Sequence, residues 1–135
     1  MPPVELATEP PFGNLARQMN KLMDQLRYRL ESKAFENSKL YYHMDDYKAS
    51  VTSFKNLLRD YPASKYREEV MYLVFESEYL LAENSIDSKK NERYNLALVS
   101  YGEFTTAFPQ SRFRKDADDY AKDCRKRLEK YSALK

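Results

Sequence analysis

A stretch of the chain occurs twice, and no other feature limits the possible folds so sharply. Tyr47 to Arg67 reads YKASVTSFKNLLRDYPASKYR, and 47 positions later Tyr94 to Arg114 reads YNLALVSYGEFTTAFPQSRFR. Aromatic residues coincide at Tyr47/Tyr94, Phe54/Tyr101, Tyr61/Phe108 and Tyr66/Phe113. Small or apolar residues coincide at Ser50/Ala97, Val51/Leu98 and Leu57/Phe104, and both copies close on P-x-S-[KR]-[YF]-R. Self-similarity at this period marks stacked supersecondary units that bury their faces against one another.

The units are helical by pattern. Only two Gly and six Pro occur, and four of the Pro precede residue 12, so the body of the chain is nearly free of helix breakers. Residues 1–13 read as an extended arm, because Pro disfavours helix at its own position and the one before. Asn14 is a candidate N-cap for a long helix with the stripe Leu15, Met19, Leu22, Leu26, Leu30, Ala34, Asn37, Tyr41 and Met44. A turn follows at His43 to Asp46, where Asp45 or Asp46 can cap the next helix, which Pro62 ends. Ser64 opens a third helix. One of its faces is Tyr66, Val70, Leu73, Val74, Ser77 and Leu81, and the opposite face carries Tyr72, Phe75 and Tyr79. Residues 85–92 read as a polar loop, residues 94–108 as a fourth helix, and Ser111 opens a fifth with one apolar and one charged face, as a terminal cap needs. The expected fold is all-α: about five helices in antiparallel pairs forming a right-handed α-solenoid. Its repeat domain covers residues 14–135, with units at about 28–62 and 64–109 and a capping helix at 111–131.

Several function classes find no support. The net charge is +2 with both signs interspersed, not the basic stripe of a nucleic-acid binder; Arg125, Lys126 and Arg127 read as a solvated helix face. No segment approaches the ~20 apolar residues of a membrane helix. Cys124 stands alone and aligns with Ser77 in the repeat frame, which suits a small packing position. His43 is the single histidine and cannot build a metal cluster or a triad. Adjacent residues on a helix point about 100° apart, so the pairs Asp45-Asp46 and Asp118-Asp119 suit capping or solvation better than acid–base chemistry. Without a Gly-rich phosphate loop either, neither an enzyme nor a cofactor is expected.

Counting back from Pro62, Tyr41, Tyr47, Ser50 and Phe54 fall where a tetratricopeptide repeat places Tyr, Tyr, Ala and an aromatic; Tyr94, Ala97, Tyr101 and Pro109 repeat the match. The strings KAFENSKLYYHMDDYKASVTSFKNLLRDYPASKYREE and YLLAENSIDSKKNERY resemble the C-terminal half of the BamD family of outer-membrane assembly lipoproteins, over about residues 20–131. The resemblance implies an interaction scaffold of the β-barrel assembly machinery at the periplasmic face of the outer membrane. It implies docking to a POTRA domain of the barrel-forming subunit BamA around the turn at His43 to Tyr47, with His43, Asp45 and Asp46 as candidate contacts, and through the last helix. The turn carries Met44-Asp45-Asp46 where relatives often carry Gly. The family's signal peptide, lipid-bearing Cys and first repeats find no counterpart here, so the resemblance implies a fragment, whose stripe Leu15, Met19, Leu22 and Leu26 would lack part of its packing. A general repeat adaptor for another protein or peptide is the alternative. Tyr72, Phe75 and Tyr79 are a second candidate surface, either packed against the preceding helix pair or lining a groove for a basic partner.

Overall fold

Pro62 and Pro109 each stand just beyond a helix end. The computed structural model describes residues 12–133. It contains α1 (Phe12–His43), α2 (Tyr47–Asp60), α3 (Arg67–Glu83), α4 (Asp87–Ala107) and α5 (Arg114–Ala133), with no strand among the described residues. The ends of α2 and α4 are built alike: the Tyr61 N–H donates to the Leu57 carbonyl and the Phe108 N–H to the Phe104 carbonyl, both at 2.8 Å. Ser64 and Ser111 do not begin helices as expected. Each instead closes the turn before one, its hydroxyl accepting from the N–H two residues on, Tyr66 at 3.0 Å and Phe113 at 3.1 Å.

Three other expectations need correction. Most of the proposed arm lies outside the described residues, and Phe12 and Gly13 already belong to α1, so Asn14 sits within the helix and does not cap it. Of the proposed loop 85–92, only Ser85 and Ile86 are non-helical, and α4 begins at Asp87. The segment is polar because it is a solvated helix turn; it holds no Gly or Pro to stop a helix, and Asp87 suits the positive end of the helix dipole. Finally, the face that α1 buries is not the long stripe. Phe35 and Ser38 are buried with Tyr42 packed beside them, whereas Leu22 and Leu26 remain 65% and 58% exposed.

The buried face of α1 reveals a second register. Glu31, Phe35, Ser38 and Tyr42 correspond to Glu68, Tyr72, Phe75 and Tyr79 at a spacing of 37, although α2 and α4 correspond at 47. The extra residues lengthen the end of α3 and the start of α4. Equivalent contacts recur. Ser64 donates to Glu31 as Ser111 donates to Glu68, and Tyr42 donates to Glu76 as Tyr79 donates to Asp123. Such a recurrence means one joint geometry is used twice.

The core centres on α3, where ten residues are buried, among them Val70, Leu73, Val74 and Ser77 of one sequence-predicted face and Tyr72, Phe75 and Tyr79 of the other. Helix α2 covers one side and α4 with α5 the other. Ser77 faces α2, its hydroxyl 3.1 Å from that of Ser50, and two small side chains there let the helices approach closely. At the equivalent joint stand Ala97 and Cys124, both fully buried. Burial pushes the Cys124 thiol up to about 12, so it stays a protonated packing group.

Candidate docking surface

The turn between α1 and α2 is presented to solvent. His43, Met44, Asp45 and Asp46 are all exposed. The chain reverses because Asp45 adopts a left-handed backbone, φ 60°, a conformation that Asp tolerates better than most side chains. Tyr47 fixes this residue by donating its hydroxyl to the Asp45 carboxylate at 3.0 Å. Burial is the first cause, and the Asp45 carboxylate the second, of the upward pKa shift of Tyr47. Asp46 caps α2, accepting from the Ala49 N–H at 3.2 Å. Both aspartates are therefore occupied in shaping the turn, and their exposed edges remain free to meet a partner. Leu40, Tyr41 and Met44 add exposed apolar surface beside them, with Met44 at 64%.

Tyr72, Phe75 and Tyr79 belong elsewhere. All three are buried, so they offer no face to a partner of the folded chain. Their ring contacts run to later elements of the chain. Tyr72 stacks on Phe113 and leans on Phe104; Phe75 meets Tyr101 and Tyr120; Tyr79 meets Tyr94 and Tyr120. These partners belong to α4, α5 and the turn that precedes α5. A two-sided apolar pattern on α3 signalled a sandwiched helix, but periodicity alone does not say which neighbour lies on which side.

The hydroxyls of these tyrosines latch the helices together. Tyr42 donates to Glu76, Tyr79 to Asp123, Tyr94 to Glu83 at 2.6 Å and Tyr101 to Asp118 at 2.5 Å. Burial, followed by the carboxylate each one faces, raises the pKa of all four tyrosines. Asp118 is held below the usual carboxylate range, first by the Tyr101 hydrogen bond and then by Arg114, 2.8 Å away. Tyr79, Tyr94 and Tyr101 stand out in the sequence, but Tyr42 and these pairings do not, because the carboxylates sit on other helices at no fixed spacing. Sequence reading also missed Glu78, a buried carboxylate of α3 that no pattern of charge distinguished from a solvated one.

Antiparallel helical hairpins stacked in register, with small residues at the close approaches, define a helical-repeat protein of the tetratricopeptide-like class. The chain belongs to the outer membrane lipoprotein family YfiO, whose profile matches residues 13–133. A search of curated proteins finds no significant match. None of the helices among the described residues is long and apolar enough to cross a membrane.

Proposed function

We propose that the chain is a non-catalytic scaffold of the machinery that assembles β-barrel proteins in the outer membrane, acting at its periplasmic face. The turn from His43 to Asp46 docks a folded partner domain, and the resemblance to BamD names that partner as a POTRA domain of BamA. The observation carrying this reading is the turn itself. A left-handed backbone at Asp45 and two side-chain hydrogen bonds shape an exposed turn that carries the exposed Met44. Pre-organisation of this kind lowers the ordering cost of binding, and an exposed Met beside Tyr41 and Leu40 supplies apolar contact.

Calorimetric titration of a purified POTRA domain into the chain tests the reading. Met44→Asp is expected to weaken binding more than tenfold at an unchanged melting temperature. Asp46→Asn keeps the cap and removes the charge, and is expected to weaken binding less. If the wild-type chain binds and both variants bind equally well, the docking surface is not this turn. If the wild-type chain binds no POTRA domain, the general-adaptor reading replaces this one.

A further inference from the structure

Helices α2 and α4 flank α3 without closing over it. Between them lies a cleft of about 170 Å³, lined by Lys55 and Leu58 of α2, Met71 and Val74 of α3, and Ser100 and Glu103 of α4. Glu78 stands one helical turn beyond Val74 on the same face of α3. It is only 6% exposed, and its carboxylate accepts a hydrogen bond from the Ser100 hydroxyl. Among the described residues no ion pair includes Glu78.

A buried carboxylate without a cation costs stability, and the group responds by holding its proton more tightly. Burial raises the pKa of Glu78; the Ser100 hydrogen bond and Lys55 oppose the shift, and Glu103 adds to it. The fold itself does not require an acid at this position. Its repeat equivalents are Tyr41 in α1 and Arg125 in α5, and both are exposed. Ser53, the equivalent of Ser100, pairs instead with another hydroxyl, that of Ser38 at 2.6 Å. The acid in the middle unit thus breaks the repeat at a cost to folding. Functional sites are where such local inconsistency is expected.

The surroundings state what would offset that cost. Glu103 lines the cleft and Glu78 is bonded to the lining residue Ser100, while Lys55 is the one cation of the lining; with both acids ionised the site is short of one positive charge. Apart from Ser100, its remaining lining is apolar. Leu96 lies one turn from Ser100, and Val99 one turn from Glu103, on the outward side of α4, and they are 50% and 59% exposed. A free metal ion would gain nothing from Leu58, Met71 and Val74, whereas a long cationic side chain buries its stem on such a surface.

We propose that this cleft receives a lysine or arginine side chain of a partner protein, its cation between Glu78 and Glu103 and its own segment lying across Leu96 and Val99. The surface involves no residue of the turn at His43 to Asp46, so it constitutes a second contact, separable from the first.

The test uses two synthetic twelve-residue amidated peptides, each with a leucine face and a central arginine or, in the control, citrulline. They are titrated into the isotope-labelled chain by NMR. The arginine peptide is expected to shift the amides of Leu58, Met71, Ser100 and Glu103, and the citrulline peptide to leave them in place. Glu78→Gln keeps the Ser100 hydrogen bond and is expected to weaken binding at least tenfold. Glu103→Gln, at an exposed position, is expected to weaken binding about threefold and serves should Glu78→Gln disturb the fold. The proposal is overturned if the arginine peptide leaves the cleft amides unmoved, if citrulline binds equally, or if both variants retain wild-type affinity.

Discussion

Tyr72 lies flat on Phe113, with ring centroids 4.8 Å apart and planes 7° from parallel, and the contact copies that of Phe35 with Tyr66, at 4.2 Å and 13°. In both cases an aromatic of one unit's first helix receives the aromatic that ends the P-x-S-[KR]-[YF] motif of the next. The motif is therefore the joint between units. Its Pro stops one helix, its Ser turns the chain, and its aromatic locks the following helix onto the unit before.

The tyrosine latches at these joints separate into a packing part and a hydrogen-bonding part. Tyr79→Phe keeps the contacts with Tyr94 and Tyr120 but loses the bond to Asp123, and should cost about 1 kcal/mol. Tyr79→Ala loses both and should cost roughly 3–5 kcal/mol. Urea denaturation of the two variants measures the difference. Equal midpoints for Tyr79→Ala and wild type would remove Tyr79 from the core.

Phe54 is fully buried and meets Phe35 edge-on, with centroids 6.4 Å apart. Phe54→Ala should destabilise the chain by roughly 3–5 kcal/mol, a large share of the total for a domain of this size. An unchanged melting curve would contradict this placement.

The left-handed turn residue offers a prediction of opposite signs. Asp45→Gly removes the steric cost of φ 60° and should leave stability within about 1 kcal/mol of wild type, or raise it. Asp45→Val places a β-branched side chain in that conformation and should cost about 1–2 kcal/mol. Thermal melts of the pair decide, and a valine variant as stable as the glycine variant would show that the turn relaxes.

Stability should depend on pH through Glu78. Its folded-state pKa lies above the unfolded value, so the folded chain binds this proton more tightly. The resulting contribution is fully present below the unfolded carboxylate pKa and is lost as pH rises through the raised folded value. Lys55 of α2, Glu103 of α4 and the Ser100 hydroxyl are the groups that face it. Glu78→Gln should therefore gain stability relative to wild type as pH rises from the ordinary carboxylate range toward neutrality, as followed by chemical denaturation at several pH values. A constant difference across that range would show that Glu78 titrates as it does in the unfolded chain.

The two ends of the array should differ in local stability. Leu15, Met19, Leu22 and Leu26 are exposed along the first half of α1, while α3 is buried on two sides. Amides at 15–28 should exchange with solvent much faster than those at 70–82 in a chain shown to be monomeric, since few tertiary contacts oppose local opening there. Equal protection would mean that α1 is held by contacts other than those seen.

Much of the architecture was legible without coordinates because it depends on local chemistry. Pro62 and Pro109 lack an N–H and cannot continue a helix that reaches them, Asp46 beside Asp45 is a cap by virtue of its short carboxylate, and a period of three to four among apolar positions makes a helix regardless of what covers it. The repeat itself is sequence read twice. Helix starts at Ser64 and Ser111 and the loop at 85–92 were misplaced by a few residues, since a polar helix turn and a polar loop have the same composition.

What the tertiary structure alone decided is direction and pairing. Tyr72, Phe75 and Tyr79 were visible as a stripe, but only the placement of α4 and α5 shows that the stripe is interior, which leaves the turn at His43, Asp45 and Asp46 as the exposed candidate. Phe35 went unrecognised because it is rotated away from the more regular leucine stripe of α1, and regularity does not measure burial. Glu78 looks in sequence like any solvated glutamate of a helix. Its charge becomes costly only where α2, α3 and α4 meet around it, because desolvation depends on what surrounds a group in space and not on its neighbours in the chain.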